Sequence, residues 1–117
     1  MAIEHTFAGV PVADYASARA WYERLFGRPP DLIPHDTEAA WQLGGTSWVY
    51  VVEDAGRAGN ALLTLMVDDL DEHVRQLAER GLRAGTVERV EGKYAKASIT
   101  DPEGNLISFG ENLGDDA

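Results

Sequence analysis

The side chains able to do chemistry in this sequence are numerous but scattered. Three histidines stand on separate segments, whereas a divalent-metal site needs imidazole and carboxylate donors converging on one point. His5 lies near the start of the chain and His35 beside the turn-forming Asp36-Thr37 pair. His73 sits within Asp71-Glu72-His73, on the expected wet side of a helix. The chain has no cysteine, which excludes disulfides, thiolate ligands and a cysteine nucleophile. It also lacks a Gly-x-Ser-x-Gly elbow and a glycine-rich phosphate loop with its lysine. Gly44-Gly45 reads as a hairpin turn. Most carboxylates fall in helix caps, in a short linker or in the Gly114-Asp115-Asp116-Ala117 tail. General acid–base work needs a sheltered group with a perturbed pKa. Tyr50 is a candidate proton donor, with a packed or hydrogen-bonded tyrosine as the plainer reading. No catalytic residue is assigned.

Charge narrows the partners. Ten Lys+Arg against twenty Asp+Glu leave a formal charge of −10, which repels nucleic acid and anionic membrane. The same field raises the local concentration of cations. No apolar run approaches the roughly 18–20 residues that span a bilayer. Met1-Ala2-Ile3-Glu4-His5 has neither the basic start nor the apolar stretch of a signal peptide. With no cysteines, a cytoplasmic location is expected. At 117 residues with 44% hydrophobic and 26% charged, the chain suits one globular domain over residues 1–117.

Two amphipathic helices must position whatever site exists. Asp14 caps the first, Tyr15, Ala18, Tyr22 and Leu25 recur at helical spacing, and Gly27 ends it before Arg28-Pro29-Pro30. Asp69 caps the second, with Leu70, Val74 and Leu77 as its stripe and Gly81 as its stop. A strand-like run precedes each: Phe7 to Val12, then Leu62 to Val67. Three strand candidates follow the first helix, at 31–34, 39–43 and 47–52. Three more follow the second, at 86–90, 94–100 and 106–110. The last hairpin turns at Asp101-Pro102-Glu103-Gly104-Asn105, where proline fixes φ and glycine supplies a positive one. Residues 54–60 read as a small flexible linker between modules at about 5–53 and 61–112. Val12-Ala13-Asp14-Tyr15 and Val67-Asp68-Asp69-Leu70 stand 55 residues apart at the same strand-to-helix junction, which points to duplication.

Val10-Pro11-Val12-Ala13-Asp14, the run from Ala18 to Gly27, Val67-Asp68-Asp69-Leu70-Asp71 and Asp101-Pro102-Glu103-Gly104-Asn105-Leu106-Ile107 together resemble the vicinal oxygen chelate superfamily. That group contains glyoxalases, bleomycin-resistance proteins and extradiol dioxygenases. The likeness spans about residues 5–112. It implies an α+β fold of two tandem βαβββ modules forming a curled mixed sheet around a cleft, in a chain that forms a homodimer. It also implies where a divalent metal would be held: positions Phe7, Tyr50, Leu62 and Ser108. None is a good ligand for such an ion, so neither metal nor other cofactor is expected. His5 shares the face of Phe7 but lies about 6.6 Å further along the strand.

Strand alternation from those positions gives the cleft lining. Phe7, Trp41, Trp48, Tyr50, Leu62, Met66 and Ser108 are expected to bind ligand, making an apolar and aromatic pocket in place of a metal centre. Such pockets suit flat organic guests. The expected function is metal-independent capture of a hydrophobic, aromatic or cationic small molecule, in the manner of bleomycin-resistance proteins. The alternative is a glyoxalase-type lyase or isomerase, or a dioxygenase-type enzyme, with a non-standard active site.

Overall fold

Both helices start on an aspartate that leaves the chain extended and takes a backbone N–H onto its carboxylate. Asp14 Oδ1 accepts from Ser17 N at 3.2 Å, and Asp69 Oδ1 accepts from Glu72 N at 3.1 Å. Left-handed glycines follow their last turns: Gly27 at φ 74° and Gly81 at φ 80°. The computed structural model describes residues 2–114; Met1 and the Asp115-Asp116-Ala117 end of the acidic tail lie outside the described residues.

The order is β1 (Thr6–Val12), α1 (Tyr15–Phe26), β2 (Leu32–His35), β3 (Glu38–Gly44) and β4 (Ser47–Glu53). A second set follows: β5 (Leu62–Met66), α2 (Leu70–Glu79), β6 (Glu88–Val90), β7 (Tyr94–Thr100) and β8 (Leu106–Asn112). These are the two tandem βαβββ modules of an α+β fold. Each module makes its own four-stranded mixed sheet, β1-β4-β3-β2 and β5-β8-β7-β6. The parallel pairs, β1 with β4 and β5 with β8, are joined through the crossover helices. Strands β1 and β5 therefore each have one hydrogen-bonded neighbour and one free edge. No described helix is long and apolar enough to cross a membrane.

Alternation puts Val10, Val12, Val49 and Val51 of the first sheet, and Ile107 and Phe109 of the second, into one shared core. Tyr22, Leu25, Leu70 and Leu77 of the helices join them, all essentially without solvent contact. Three details depart from the sequence reading. β6 is shorter and β8 longer than the hydrophobic runs suggest. The 54–60 linker touches the second module at Gly59, which at φ 86° lies so close to Glu103 that a Cβ there would stand 2.6 Å from its carbonyl oxygen. His73 is not on the wet side of its helix. Its ring packs 4.4 Å from that of Phe109, and its Nε2 is enclosed.

The modules are tied by the 101–105 turn. Asp101, 4% exposed, accepts from Tyr22 Oη at 2.8 Å, Asn105 Nδ2 at 2.8 Å, and the backbone N–H groups of Glu103 and Asn105 at 2.9 Å. Asn105 also donates to Pro11 O at 3.0 Å and accepts from Ala61 N at 2.8 Å. Glu103 takes the N–H groups of Ala13 and Asp14, at 2.6 and 3.0 Å, where α1 begins. On the far side two arginines exchange places. Arg24 donates to the carbonyls of Arg80 and Gly81, while Arg80 donates to those of Arg24 and Leu25. Each guanidinium thus meets the negative end of the other module's helix.

Burial, and next the Asp101 charge, push the Tyr22 phenol well above its ordinary range. Tyr22→Phe should cost about 1–2 kcal/mol, and Asp101→Ala about 3 kcal/mol or more because it orphans several donors. Denaturant titration at neutral pH measures both. A raised folded pKa stabilises fully below the unfolded value and is lost above it. The parent's advantage over Tyr22→Phe should therefore shrink as pH rises beyond about 10. A constant difference would show that the phenol is not held neutral by the fold.

Candidate functional site

The faces turned away from the core carry the unsatisfied surface. On the first sheet, registered pairs place Phe7 beside Trp48 and Gly9 beside Tyr50, with Gln42 and Ala40 completing the rows. Phe7 and Trp48 stack with ring centroids 5.2 Å apart and planes 18° from parallel. Phe7 remains 49% exposed. Tyr50 lies across β1 because Gly9 has no side chain: a Cβ there would stand 2.6 Å from both Cζ and Oη of the phenol. The indole N–H of Trp48 is enclosed and has no acceptor among the described residues.

On the second sheet, Leu62 pairs with Leu106, Thr64 with Ser108 and Met66 with Gly110. Leu62 and Met66 are 83% and 63% exposed, although Met66 folds its thioether across Gly110. Ser108 is buried, and its Oγ is 2.9 Å from that of Ser98 on β7. Thr64, Ser108 and Ser98 form a row of hydroxyls, with Lys96 one step along β7 beside Gly110. The sequence reading had no place for Ser98 or Lys96. Counting back from the 101–105 turn, where Thr100 faces Leu106, is the signal that finds them.

Six of the seven expected ligand-binding residues lie on these outward faces, but in two groups on two sheets. Phe7, Trp48 and Tyr50 belong to one; Leu62, Met66 and Ser108 belong to the other. The cavity that touches Thr64 and Met66 does not extend to Phe7, Trp48 or Tyr50. Trp41 is a correction. It faces Val49, not Trp48, and is 0% exposed on the core side. There it donates Nε1–H to Arg28 O at 3.0 Å and packs 5.2 Å from the ring of Phe26. The physical reason is the β3–β4 hairpin, whose register shifts between Gln42 and Gly44. A slip of one residue turns every side chain to the other face.

The four metal-ligand positions carry two hydrocarbons, one phenol and one serine already engaged with another. Such a donor set does not fit a divalent ion. Among the described residues no three His, Asp or Glu side chains gather closely enough to hold one. His35 pairs with Glu38 at 3.0 Å, His5 is exposed 6.5 Å from the Phe7 ring, and His73 lies in the other module.

Two repeated βαβββ modules, each with one sheet face in the core and one turned outward, define a class of protein rather than an activity. The sequence profile of the Glyoxalase/Bleomycin resistance protein/Dioxygenase superfamily matches residues 2–109, and the chain belongs to that family. A glyoxalase / bleomycin resistance protein from Catenulispora acidiphila DSM 44928 is similar at 42% identity and TM-score 0.87, over 93% of this chain and 98% of its own. TnmS3, an antibiotic binding protein from Streptomyces sp. CB03234, is similar at 25% identity and TM-score 0.76, over 96% and 98%. A lactoylglutathione lyase from Agrobacterium tumefaciens shares the fold at 20% identity and TM-score 0.73, over 94% and 92%. No curated protein sequence matches the chain significantly.

Gly9→Ala should push Tyr50 off β1, since the new methyl group would overlap the ring. The expected result is a folded protein destabilised by about 1–3 kcal/mol with displaced Tyr50 ring resonances in NMR spectra. Unchanged ring resonances would show that Tyr50 does not rest there.

Proposed function

We propose that this protein captures a small organic molecule without a metal and without chemistry, as a binder of the bleomycin-resistance type. The ligand is flat and hydrophobic, aromatic or partly cationic, and it stacks on Phe7, Trp48 and Tyr50. One observation carries the reading: a stacked and half-exposed aromatic pair occupies the place where metal-using relatives need an imidazole. Binding sites of this kind combine apolar walls with a few orienting polar groups. The hydroxyl row of Thr64, Ser98 and Ser108 would supply them. Resemblance to an antibiotic binding protein supports the same direction, and the charge of −10 favours cationic guests.

A homodimer completes the proposal. Within one chain the aromatic face and the face bearing Leu62, Met66 and Ser108 belong to different sheets, and β1 and β5 each offer a free edge. A second copy would bring one face of each kind together and cover apolar side chains now open to water. Sedimentation equilibrium at micromolar concentration should give twice the 12.7 kDa chain mass.

The binding test is titration of hits from a screen of planar neutral and cationic compounds. Trp48→Ala and Tyr50→Ala should each weaken binding by about 1–3 kcal/mol, roughly five- to a hundred-fold. A chelator should change nothing. Variants that fold and still bind as tightly as the parent would place the site elsewhere. Turnover of a hit that depends on Tyr50 would replace capture with catalysis.

A further inference from the structure

A cavity of about 520 Å³ lies between the modules, bordered by the β3–β4 hairpin (Leu43, Gly44, Ser47) and by Thr64 and Met66 of β5. Its walls come from the last turn of α1 (Leu25, Phe26), from Leu65 and Val67 of β5 and its exit, and from Phe109 of β8. Three polar side chains close it, His73 and Gln76 of α2 and Arg80 just after its end. The size falls within the roughly 300–1,000 Å³ of small-molecule sites.

The polar groups share a sign and have capacity to spare. The chain holds twenty Asp and Glu, yet none of them lines this cavity. Arg80 spends Nε and Nη2 on the carbonyls of Arg24 and Leu25, which fixes the guanidinium in place. Its Nη1 makes no hydrogen bond among the described residues and lies near Gly27 at the end of α1. His73 is half-buried against Phe109, and its enclosed Nε2 has no hydrogen-bond partner among the described residues. Burial, with the Arg80 charge adding to it, holds His73 below the usual imidazole range; Asp68 opposes this from outside the cavity. Gln76 is exposed at the rim. A fixed guanidinium edge beside apolar and aromatic walls matches a carboxylate carried on a ring, because bidentate or charge-assisted hydrogen bonds need both a preset donor and a dry surround.

We propose that this inter-module cavity is a second binding site, for a small aromatic carboxylate, with the acid group at Arg80 and Gln76 and the ring against Phe26, Leu65 and Phe109. Its walls include Thr64 and Met66 but none of Phe7, Trp48 and Tyr50.

Naphthoate is the probe, with naphthyl methanol as its uncharged counterpart, followed by NMR titration of the full chain. Naphthoate should saturate a site with resonances of Leu65, Phe109 and His73 shifting, and bind about tenfold more tightly than the alcohol. Gln76→Trp, on an exposed position, should fill the mouth and abolish binding without unfolding the protein. Arg80→Gln should remove the preference for the acid. Trp48→Ala, which strips the aromatic face, should leave naphthoate binding here intact. The proposal is overturned if naphthoate does not saturate, if the alcohol binds equally well, if Gln76→Trp binds like the parent, or if Trp48→Ala abolishes the shifts.

Discussion

The Asp101 carboxylate is the point on which the arrangement of the two modules turns. A buried carboxylate is tolerated only when donors surround it, and here they come from both halves of the chain. Two backbone N–H groups and the Asn105 amide belong to its own turn; the fourth donor is the Tyr22 hydroxyl, on the helix of the other module. Tyr22 is itself fully buried among core residues, so the bond fixes how deep and at what angle α1 meets the second sheet. Asn105 carries the tie on to Pro11 O in β1. Glu103 carries it to the first N–H groups ahead of α1. One five-residue turn therefore positions a strand, a helix start and a linker at once.

That docking commits one face of each sheet to the core and leaves the other face open. The arginine exchange between Arg24 and Arg80 acts in the same sense, closing the opposite end of the module contact with charges that suit helix C-termini. What stays outside is chemically uneven. The first sheet shows aromatic rings, and the second shows hydroxyls, two aliphatic side chains and a lysine. A ligand site with one stacking wall and one hydrogen-bonding wall needs both, and the chain holds them on different sheets. Glycines at 9 and 110 allow the large side chains opposite them to lie flat across the sheets. The walls are thus smoother than the residue types suggest.

The negative charge also has local uses. Asp14 and Glu103 meet the start of α1; Asp69 and Glu111 meet the start of α2, where Glu111 takes Leu70 N at 2.7 Å. Carboxylates at helix N-termini face the positive end of the dipole. This accounts for several of the acids without any ligand, and it shows why whole-chain charge is a weak guide to any one cavity. The space beside Arg80 is cationic in an acidic protein.

The sequence alone determined the elements and their order. Asp14 and Asp69 announce the helix starts because only a short polar side chain can reach the free N–H groups there. Gly27 and Gly81 mark the ends because the left-handed turn excludes a Cβ. The 55-residue register of these signals reveals the duplication, and alternation around Phe7 and Ser108 gives correct faces because both strands are anchored by a helix junction or a tight turn. Tertiary structure decided what local signals could not. Trp41 sits in a hairpin whose register shift is set by packing, so its phase was open and its indole went to the core. His73 belongs to a polar-looking helix stretch, but α2 packs across β8 and brings Phe109 beneath it. The Tyr22–Asp101 bond joins residues far apart in sequence, and nothing short-range foretells it. Periodicity reports which side of an element is apolar; only the docked modules decide what that side meets.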